Sequence, residues 1–339
     1  MKIAVYGASG FTGGLVVAEL RRRSVPAVLV GRDEERLRKR AAEYGAADVR
    51  VAGLDDPERL AAAFRGCDAV VNCAGPFSTR GEPVVRAAVA AGCQYVDTAG
   101  EQRYIKHILD SYADSSVTIV PAMADDGGPG DLIAALTAAR LGDGPLDELL
   151  IADLRLPGAA SRGTARSMAE VGVRSPLEYA DGAWRPAEVA AGRAVLAVPG
   201  ERAEVEVSAF ALPGVVMAPR HLRVRRVRSA IRAEVSDLFT GLTADVVESI
   251  PEVPEEEARS TARWLMMAEA TDITGNRARG WVTGTDGYRL TAVIAVEGAR
   301  RLVMDGGPAG ARTPAQVFDP ADFLDFLTSF GVTWSVERV

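Results

Sequence analysis

Residues 6–14 read YGASGFTGG. They follow a short apolar run, 2–6, and they lead into a segment, 14–23, whose apolar residues recur at helical spacing. This order predicts a strand, a tight turn and a helix. A glycine-rich turn between a strand and a helix is the fingerprint of dinucleotide-binding domains of the Rossmann type.

The three glycines of the turn, Gly7, Gly10 and Gly13, are spaced three residues apart. The first allows the sharp turn, the second lets the backbone approach a pyrophosphate, and the third permits close packing of helix on strand. Amide groups and hydroxyls at the start of the helix suit phosphate oxygens. The predicted cofactor contacts of the turn are Gly7, Ser9, Gly10, Phe11, Thr12 and Gly13.

Alternation of strands and helices continues through the first 130 residues. Short apolar runs are predicted as strands at 27–30, 49–52, 69–72, 95–96 and 118–120. The segments between them carry helical spacing, so the strands form a parallel, doubly wound sheet. We therefore predict an α/β Rossmann domain over residues 1–130.

The pattern changes after the Gly/Pro stretch LGDGP at 141–145. Alternating apolar and polar residues, as in 203–212 and 221–227, are typical of half-buried antiparallel strands. The sequence predicts a second, α+β domain over 131–318 on a mostly antiparallel sheet, then a C-terminal helix and tail, 319–339, that returns to the first domain. Within this part we expect helices at 238–250, 255–270 and 320–330, a hairpin of 280–285 with 288–296, and a strand at 301–303.

Cofactor preference in Rossmann domains depends on the end of the second strand, which here reads VGRDEERL at 30–37. An acid there binds the ribose 2′-hydroxyl of NAD, whereas an arginine accommodates the 2′-phosphate of NADP. Arg32 comes directly after Gly31 and its planar fork suits a phosphate. We expect NADP(H), with NAD(H) held by Asp33 as the alternative.

The loop NCAGPFSTRGEP, 72–83, leaves the fourth strand at its carboxyl end, where ligands bind in open α/β sheets. We expect this loop to face the nicotinamide. Its predicted cofactor contacts are Asn72, Ala74, Gly75 and Pro76, and its predicted substrate contacts are Phe77, which covers a ring, and Arg80, which holds an anionic group. For Arg80 and Glu82 a capping or surface role is an equal alternative.

Candidate proton donors follow the fifth strand, in YVDTAGE at 95–101. Carboxylates and hydroxyls at this edge can relay a proton. The catalytic candidates are Tyr95, Asp97 and Glu101. Other titratable groups receive structural assignments: Asp131 as a helix N-cap, and Lys106 and His107 as exposed helix residues.

Composition excludes several classes of protein. The net charge of −7 disfavours nucleic-acid binding. No apolar stretch is long enough to span a membrane, and three cysteines are too few for a disulfide framework. We expect a cytoplasmic protein with reduced thiols and no metal site.

The motifs GASGFTG (7–13), VGR (30–32) and VNCAGPF with GEPVVRAAVAAGCQYVDTAGE (71–77 and 81–101) resemble saccharopine dehydrogenase-like oxidoreductases, in particular the short bacterial group that includes trans-acting enoyl reductases. Further similarity lies in SRGTARS (161–167), GTDGYRLTA (284–292) and RTPAQVF (312–318). The resemblance implies a Rossmann domain, NADP as the usual cofactor, and a second domain whose sheet often forms a homodimer. One departure is MADDGGPGD at 123–131, where the group carries a segment like Phe-Asp-Ser-Val-Pro-Ser-Asp.

The leading hypothesis for function is an NADPH-dependent reductase that transfers hydride to a C=C (enoyl) or C=N (imine) group of a small or carrier-linked substrate in biosynthetic metabolism. The Tyr-x-x-x-Lys pair of short-chain dehydrogenases is absent from the sequence. Two alternatives are a non-catalytic, dinucleotide-binding regulatory or scaffold protein, and a transferase of the homospermidine-synthase type that retains its cofactor.

Overall fold

The computed structural model describes residues 1–45, 48–158, 160–172, 176–187 and 193–339. Its strands are β1 (Ile3–Tyr6), β2 (Ala27–Gly31), β3 (Asp48–Val51), β4 (Ala69–Asn72), β5 (Gln94–Asp97), β6 (Thr118–Val120), β7 (Leu146–Asp153), β8 (Leu177–Ala180), β9 (Ala183–Pro186), β10 (Ala194–Leu196), β11 (Val205–Ala209), β12 (Val224–Arg232), β13 (Arg263–Asp272), β14 (Arg277–Thr285), β15 (Gly310–Ala311) and β16 (Thr333–Arg338). Its helices are α1 (Phe11–Arg22), α2 (Glu34–Tyr44), α3 (Pro57–Phe64), α4 (Phe77–Ala90), α5 (Gln102–Ser111), α6 (Gly128–Ala139), α7 (Arg162–Gly172), α8 (Gly214–Met217), α9 (Ala233–Thr240), α10 (Ala244–Ser249), α11 (Glu256–Ser260), α12 (Gly287–Met304), α13 (Pro314–Val317) and α14 (Pro320–Thr328).

The described residues group into two compact units. The first comprises 1–99, 104–124 and 288–312, and the second comprises 100–103, 125–287 and 313–339. The sequence-based boundaries at 130 and 318 lie near two of these transitions. In the structure, 288–312 groups with the first unit, and the tail groups with the second, where β16 pairs with β14.

The first unit is built on a parallel sheet with the strand order β15-β6-β5-β4-β1-β2-β3. The six strands predicted from the apolar runs are all present, which confirms the Rossmann-type fold. Apart from the edge strand β3, these strands are largely buried, as expected for parallel strands covered by helices on both faces, and this explains their short apolar runs. The edge strand β15, which pairs with β6, was not predicted because it is only two residues long.

The second unit is built on a nine-stranded sheet. Its central strand β7 pairs with β12 in parallel and with β13 antiparallel, and the other pairs are antiparallel, which confirms a mostly antiparallel sheet. Helix α6 packs against β13 and β14. Gly280 lies beneath this helix, where a side chain would overlap Thr137.

The predicted hairpin around Asp286 and Gly287 is wrong. Strand β14 does end at Thr285, but Gly287 begins the long helix α12, and this helix also includes the strand expected at 301–303. The segment 290–299 is buried along its whole length. A helix that is apolar all round has no helical periodicity in its sequence, so such a run is easily taken for a buried strand.

Two other helix predictions need correction. The segment 255–270 contains only the short helix α11 before β13 begins at Arg263, and 238–250 falls on two helices, α9 and α10. The run RWLMMAEA at 263–270 is a central strand buried on both faces, and continuous apolar runs do not separate that case from a helix. The C-terminal helix is confirmed as α14, with Asp319 accepting the cap hydrogen bond from the Asp322 N–H at 2.9 Å.

No helix in the described part of the chain is long and apolar enough to cross a lipid bilayer.

Candidate functional site

The glycine turn of the first unit has the geometry that the sequence predicts. Gly7 has a φ of +79°, in the left-handed region that favours glycine. Gly10 is the extended N-cap of α1 and makes no side-chain cap bond. A Cβ at Gly13 would overlap the Gly7 carbonyl oxygen, so only glycine lets α1 start this close to β1.

The loop after β4 lies against this turn. Strands β1 and β4 are neighbours in register, with Tyr6 opposite Asn72. A Cβ added to Gly7 would come within 3.0 to 3.2 Å of the Cβ, N and Cα atoms of Ala74. The turn and the Ala74 backbone therefore form one edge of the first unit, where the carboxyl ends of β1 and β4 meet.

Arg32 lies at the tip of β2 and is exposed. Burial raises the pKa of the Tyr6 hydroxyl, while the charges of Arg32 and Arg80 partly oppose that rise. Both guanidinium groups therefore lie near Tyr6 at this edge. Within the described residues the Arg32 side chain makes no hydrogen bond or ion pair, so its fork is available for a phosphate.

Sequence reasoning missed Arg36. The Asp33 carboxylate is the N-cap of α2 and accepts a hydrogen bond from the Arg36 N–H at 3.0 Å. The Arg36 guanidinium in turn donates to the Ser9 carbonyl oxygen at 3.4 Å. This contact brings a second cation to the glycine turn. The sequence feature that could have identified Arg36 is its position in the first turn of the helix that follows Arg32.

The loop predicted at 72–83 ends earlier than expected, because helix α4 begins at Phe77 and contains Pro83. Gly75 and Pro76 precede this helix. Phe77 is buried and its ring packs 5.6 Å from the ring of Tyr104. Arg80 is exposed on the first turn of α4.

Tyr95 and Asp97 are brought together in a buried cluster with Asn72 and Tyr104. The Asp97 carboxylate accepts hydrogen bonds from the Tyr104 hydroxyl at 2.8 Å and from the Tyr95 hydroxyl at 3.1 Å. The Tyr95 oxygen accepts from the Asn72 amide at 3.0 Å, and the Asn72 carbonyl accepts from the Ala74 N–H at 3.0 Å. Asn72, Tyr95 and Asp97 have no exposed surface.

The other Asp97 oxygen binds backbone. It accepts from the Ala99 N–H at 3.1 Å and from the Ala122 N–H at 2.9 Å. Burial raises the Asp97 pKa to about 6, although these four donors oppose the rise. The half-buried Cys73 thiol has its pKa raised to about 12 by loss of solvent and by the Asp97 charge.

The remaining sequence-based candidates lie elsewhere. Glu101 groups with the second unit and is buried. Lys106 and His107 lie on α5 at the surface, where Lys106 pairs with Asp110 at 2.6 Å and His107 with Glu82 at 3.3 Å.

The second unit contains a cluster of acids around one arginine. Arg155 pairs with Asp153 at 2.6 Å and with Asp125 at 3.2 Å. Asp126 lies beside them, and burial together with the Asp125 charge raises the pKa of Asp126 well above its usual range. Burial and the neighbouring charge therefore favour the protonated form of Asp126.

The cap assignment of Asp131 is wrong. Asp131 lies inside the first turn of α6, whose N-cap is Gly127, and its side chain is fully buried. Its carboxylate contacts His221 Nε2 at 2.8 Å and accepts from the Ala315 N–H at 2.9 Å. Asp131 thus joins α6 to two later segments of the second unit.

In the described part of the chain, no group of three or more His, Cys, Asp or Glu side chains is arranged to hold a metal ion.

Residues 3–120 match the family described as the saccharopine dehydrogenase NADP-binding domain. This part of the chain is a saccharopine dehydrogenase-type NADP-binding domain, and together with the relatives below it points to an oxidoreductase. The match contains the glycine turn, Arg32, the Ala74 loop and the buried cluster. The cofactor predicted from Arg32 is thereby confirmed as NADP(H).

Comparisons over the whole chain agree with this family. A putative trans-acting enoyl reductase of Mycobacterium tuberculosis is 26% identical over 99% of this chain and 97% of its own length. A trans-acting enoyl reductase of Mycobacterium bovis is 29% identical over 99% of this chain and 98% of its own length. Apo saccharopine dehydrogenase (L-Glu forming) from Saccharomyces cerevisiae has the same fold, with a TM-score of 0.65, 13% identity and coverage of 100% of this chain and 99% of its own.

Proposed function

We propose that this oxidoreductase uses NADPH to reduce a carbon–carbon double bond conjugated to a thioester, or a C=N bond of similar polarity. The observation that carries the proposal is the exposed Arg32 guanidinium beside the glycine turn, in a chain that aligns end to end with trans-acting enoyl reductases. The first feature selects the phosphorylated cofactor. The second favours a C=C substrate over an imine.

The described residues fit NADP. The start of α1 offers backbone N–H groups to the pyrophosphate, and the close approach needs Gly7, Gly10 and Gly13. Arg32 would bind the 2′-phosphate, with Arg36 next to it. The Ala74 loop would border the nicotinamide half. When bound, the reduced cofactor supplies a hydride, which leaves NADP⁺.

Reduction of an enoyl thioester adds the hydride to the β-carbon and a proton to the α-carbon. The protein must hold the acceptor against the nicotinamide and supply that proton. Asp97 and Tyr95 have no exposed surface, so their protons do not face a ligand.

The test is consumption of NADPH, followed at 340 nm, with a panel of enoyl thioesters of increasing chain length, cyclic imines and 2-keto acids. We expect turnover with at least one enoyl thioester and slower turnover with NADH. Turnover of imines alone would show that the substrate is a C=N compound and not an enoyl thioester.

The same panel separates the two other functions. A regulatory or scaffold protein would bind NADPH, seen as a change in its fluorescence, and oxidise none across the panel. A transferase that retains its cofactor would convert substrate with no net change at 340 nm. Either result would remove the reductase proposal.

We further propose a cytoplasmic homodimer formed through the second unit. Cys67, Cys73 and Cys93 are free thiols, in keeping with a reducing compartment. Leu150 and Trp281 are only partly buried on the sheet of the second unit, next to its apolar cluster. Light scattering during size-exclusion chromatography tests the dimer, and a monomer at micromolar concentration would exclude it.

A further inference from the structure

The directions of the hydrogen bonds from Ala74 to Tyr95 in the buried cluster follow from one fixed donor. The Ala74 N–H can only donate, so the Asn72 group that faces it at 3.0 Å is the carbonyl Oδ1. The Asn72 amide nitrogen therefore faces Tyr95 and donates to its oxygen at 3.0 Å. The Tyr95 hydroxyl then donates to the Asp97 carboxylate at 3.1 Å, which is nearer than the Tyr104 oxygen at 3.3 Å.

The same hydrogen-bond directions follow when the cluster is considered from Asp97. An ionised Asp97 has no proton and can only accept, so the hydroxyl protons of Tyr95 and Tyr104 both point towards it. Its second oxygen is occupied by two backbone N–H groups, which prevent the carboxylate from turning. The charge on Asp97 thus dictates the orientation of Tyr95, and Tyr95 dictates the orientation of Asn72.

We propose that Asp97 is a positioning residue for NADP: through Tyr95 and Asn72 its carboxylate holds the Ala74 backbone against the Gly7 turn. The buried relay consists of Asp97, Tyr95, Asn72 and the Ala74 N–H. Atoms of Ala74 lie 3.0 to 3.2 Å from the place where a Cβ on Gly7 would be. A displacement of the Ala74 loop would therefore change the shape of the edge that binds the cofactor. This inference depends on cofactor binding and not on which substrate is reduced.

Tyr104 is a matched control within the same cluster. Like Tyr95 it is buried and donates to the same Asp97 oxygen, at 2.8 Å. Its oxygen also lies 3.3 Å from the Tyr95 oxygen, but it makes no hydrogen bond to Asn72. Tyr104→Phe therefore removes a comparable buried hydrogen bond to Asp97 and leaves in place the three bonds that connect Asp97 through Tyr95 and Asn72 to Ala74. Tyr95→Phe removes one inside the relay. Asp97→Asn keeps the shape but places an N–H donor where the tyrosine hydroxyls donate, which reverses the polarity of the relay.

The experiment measures the Kd for NADPH by fluorescence titration and the Tm by calorimetry for the full-length variants. For Tyr95→Phe and Asp97→Asn we expect the Kd to rise about tenfold, the factor that corresponds to one misplaced buried hydrogen bond. Tyr104→Phe should lower the Tm similarly and change the Kd by less than about twofold. The double variant Asp97→Asn/Tyr95→Phe should bind no more weakly than the worse single variant, because both changes break one relay.

A Kd that rises equally in all three single variants, in step with the Tm, would show a purely structural cluster and overturn the proposal. If Asp97→Asn does not fold, Asn72→Ser keeps the bonds of Tyr95 and Tyr104 to Asp97 and removes the Asn72 contacts to Tyr95 and Ala74. An unchanged Kd in Asn72→Ser would also overturn it. Since NADPH binding is measured without substrate, neither result depends on the reductase proposal.

Discussion

The Asp97 carboxylate accepts a hydrogen bond from the Ala122 N–H at 2.9 Å, and Ala122 has a φ of +61°. Alanine rarely adopts this left-handed conformation because of its Cβ. Ala122 follows β6 and is fully buried. The buried Asp97 carboxylate therefore stabilises the strained Ala122 backbone after β6. The same carboxylate also orients the Tyr95 hydroxyl, which contacts Asn72 at the end of β4.

Substitution of Ala122 by valine should be unusually destabilising. A β-branched side chain at positive φ adds strain of about 1 to 3 kcal/mol to the cost of extra volume in a packed core. Ala99→Val is the control, since Ala99 is equally buried and is not among the positive-φ residues. Urea unfolding of both variants measures the difference, and equal losses would contradict strain at Ala122.

Asp97 should make stability fall as the pH rises. Its folded pKa is about 6, against an ordinary value of 3.8, so the folded protein holds this proton more tightly than the unfolded chain in that window. The free energy of unfolding should decrease by about 2 to 3 kcal/mol between pH 4 and 6.5 from this group. The other ionisable groups that face it are Tyr95, Tyr104 and Cys73. Urea titrations at several pH values should show a flatter profile for Asp97→Asn, and identical profiles would contradict the assignment.

Arg32 and Arg36 should discriminate NADPH from NADH. Arg32→Ala should weaken NADPH binding by about 10- to 100-fold, as expected for loss of a charge-assisted contact, and should leave NADH binding nearly unchanged. Arg36→Ala should show the same selectivity with a smaller loss. Arg38→Ala is the control, because Arg38 pairs with Glu34 at 2.6 Å on the same helix. Equal losses for both cofactors would show that neither guanidinium binds the 2′-phosphate.

His221 should titrate above its ordinary pKa. Burial lowers the pKa of His221, but the Asp131 carboxylate at 2.8 Å outweighs it and the net shift is upward. The stabilisation from this charged pair is complete below pH 6.5 and is lost as the pH rises through the folded pKa. Proton NMR can follow the titration of the His221 ring directly, since His107 and His221 are the only histidines in the sequence. The variant His107→Gln assigns the two sets of signals. A His221 pKa at or below 6.5 would contradict the ion pair.

Much of the first unit could be predicted because its signals are local. Gly7, Gly10 and Gly13 are needed by contacts within one turn, and Arg32 lies at a strand tip whose position follows from the same motif. The sequence left open whether Asp33 binds a ribose, and in the structure its carboxylate is the N-cap of α2 and accepts from the Arg36 N–H.

What the sequence could not predict depends on residues far apart in the chain. The role of Asp131 requires His221 and Ala315, which approach it only in the folded second unit. Tyr104 joins Asp97 from a different element, α5, and no spacing rule connects them. Part of helix α12 was taken for a strand because burial of its whole segment 290–299 removes the polar face that marks helical periodicity.

The central claim, that this chain transfers hydride from NADPH to a polarised double bond, is tested most directly by isotope transfer. The enzyme is incubated with NADPH deuterated at C4 of the nicotinamide and an unsaturated acyl thioester, and the product is analysed by mass spectrometry. We predict a saturated product with one deuterium at the β-carbon and stoichiometric NADP⁺. Tight NADPH binding with no deuterium in any product, across both the thioester and the imine panel, would contradict the account.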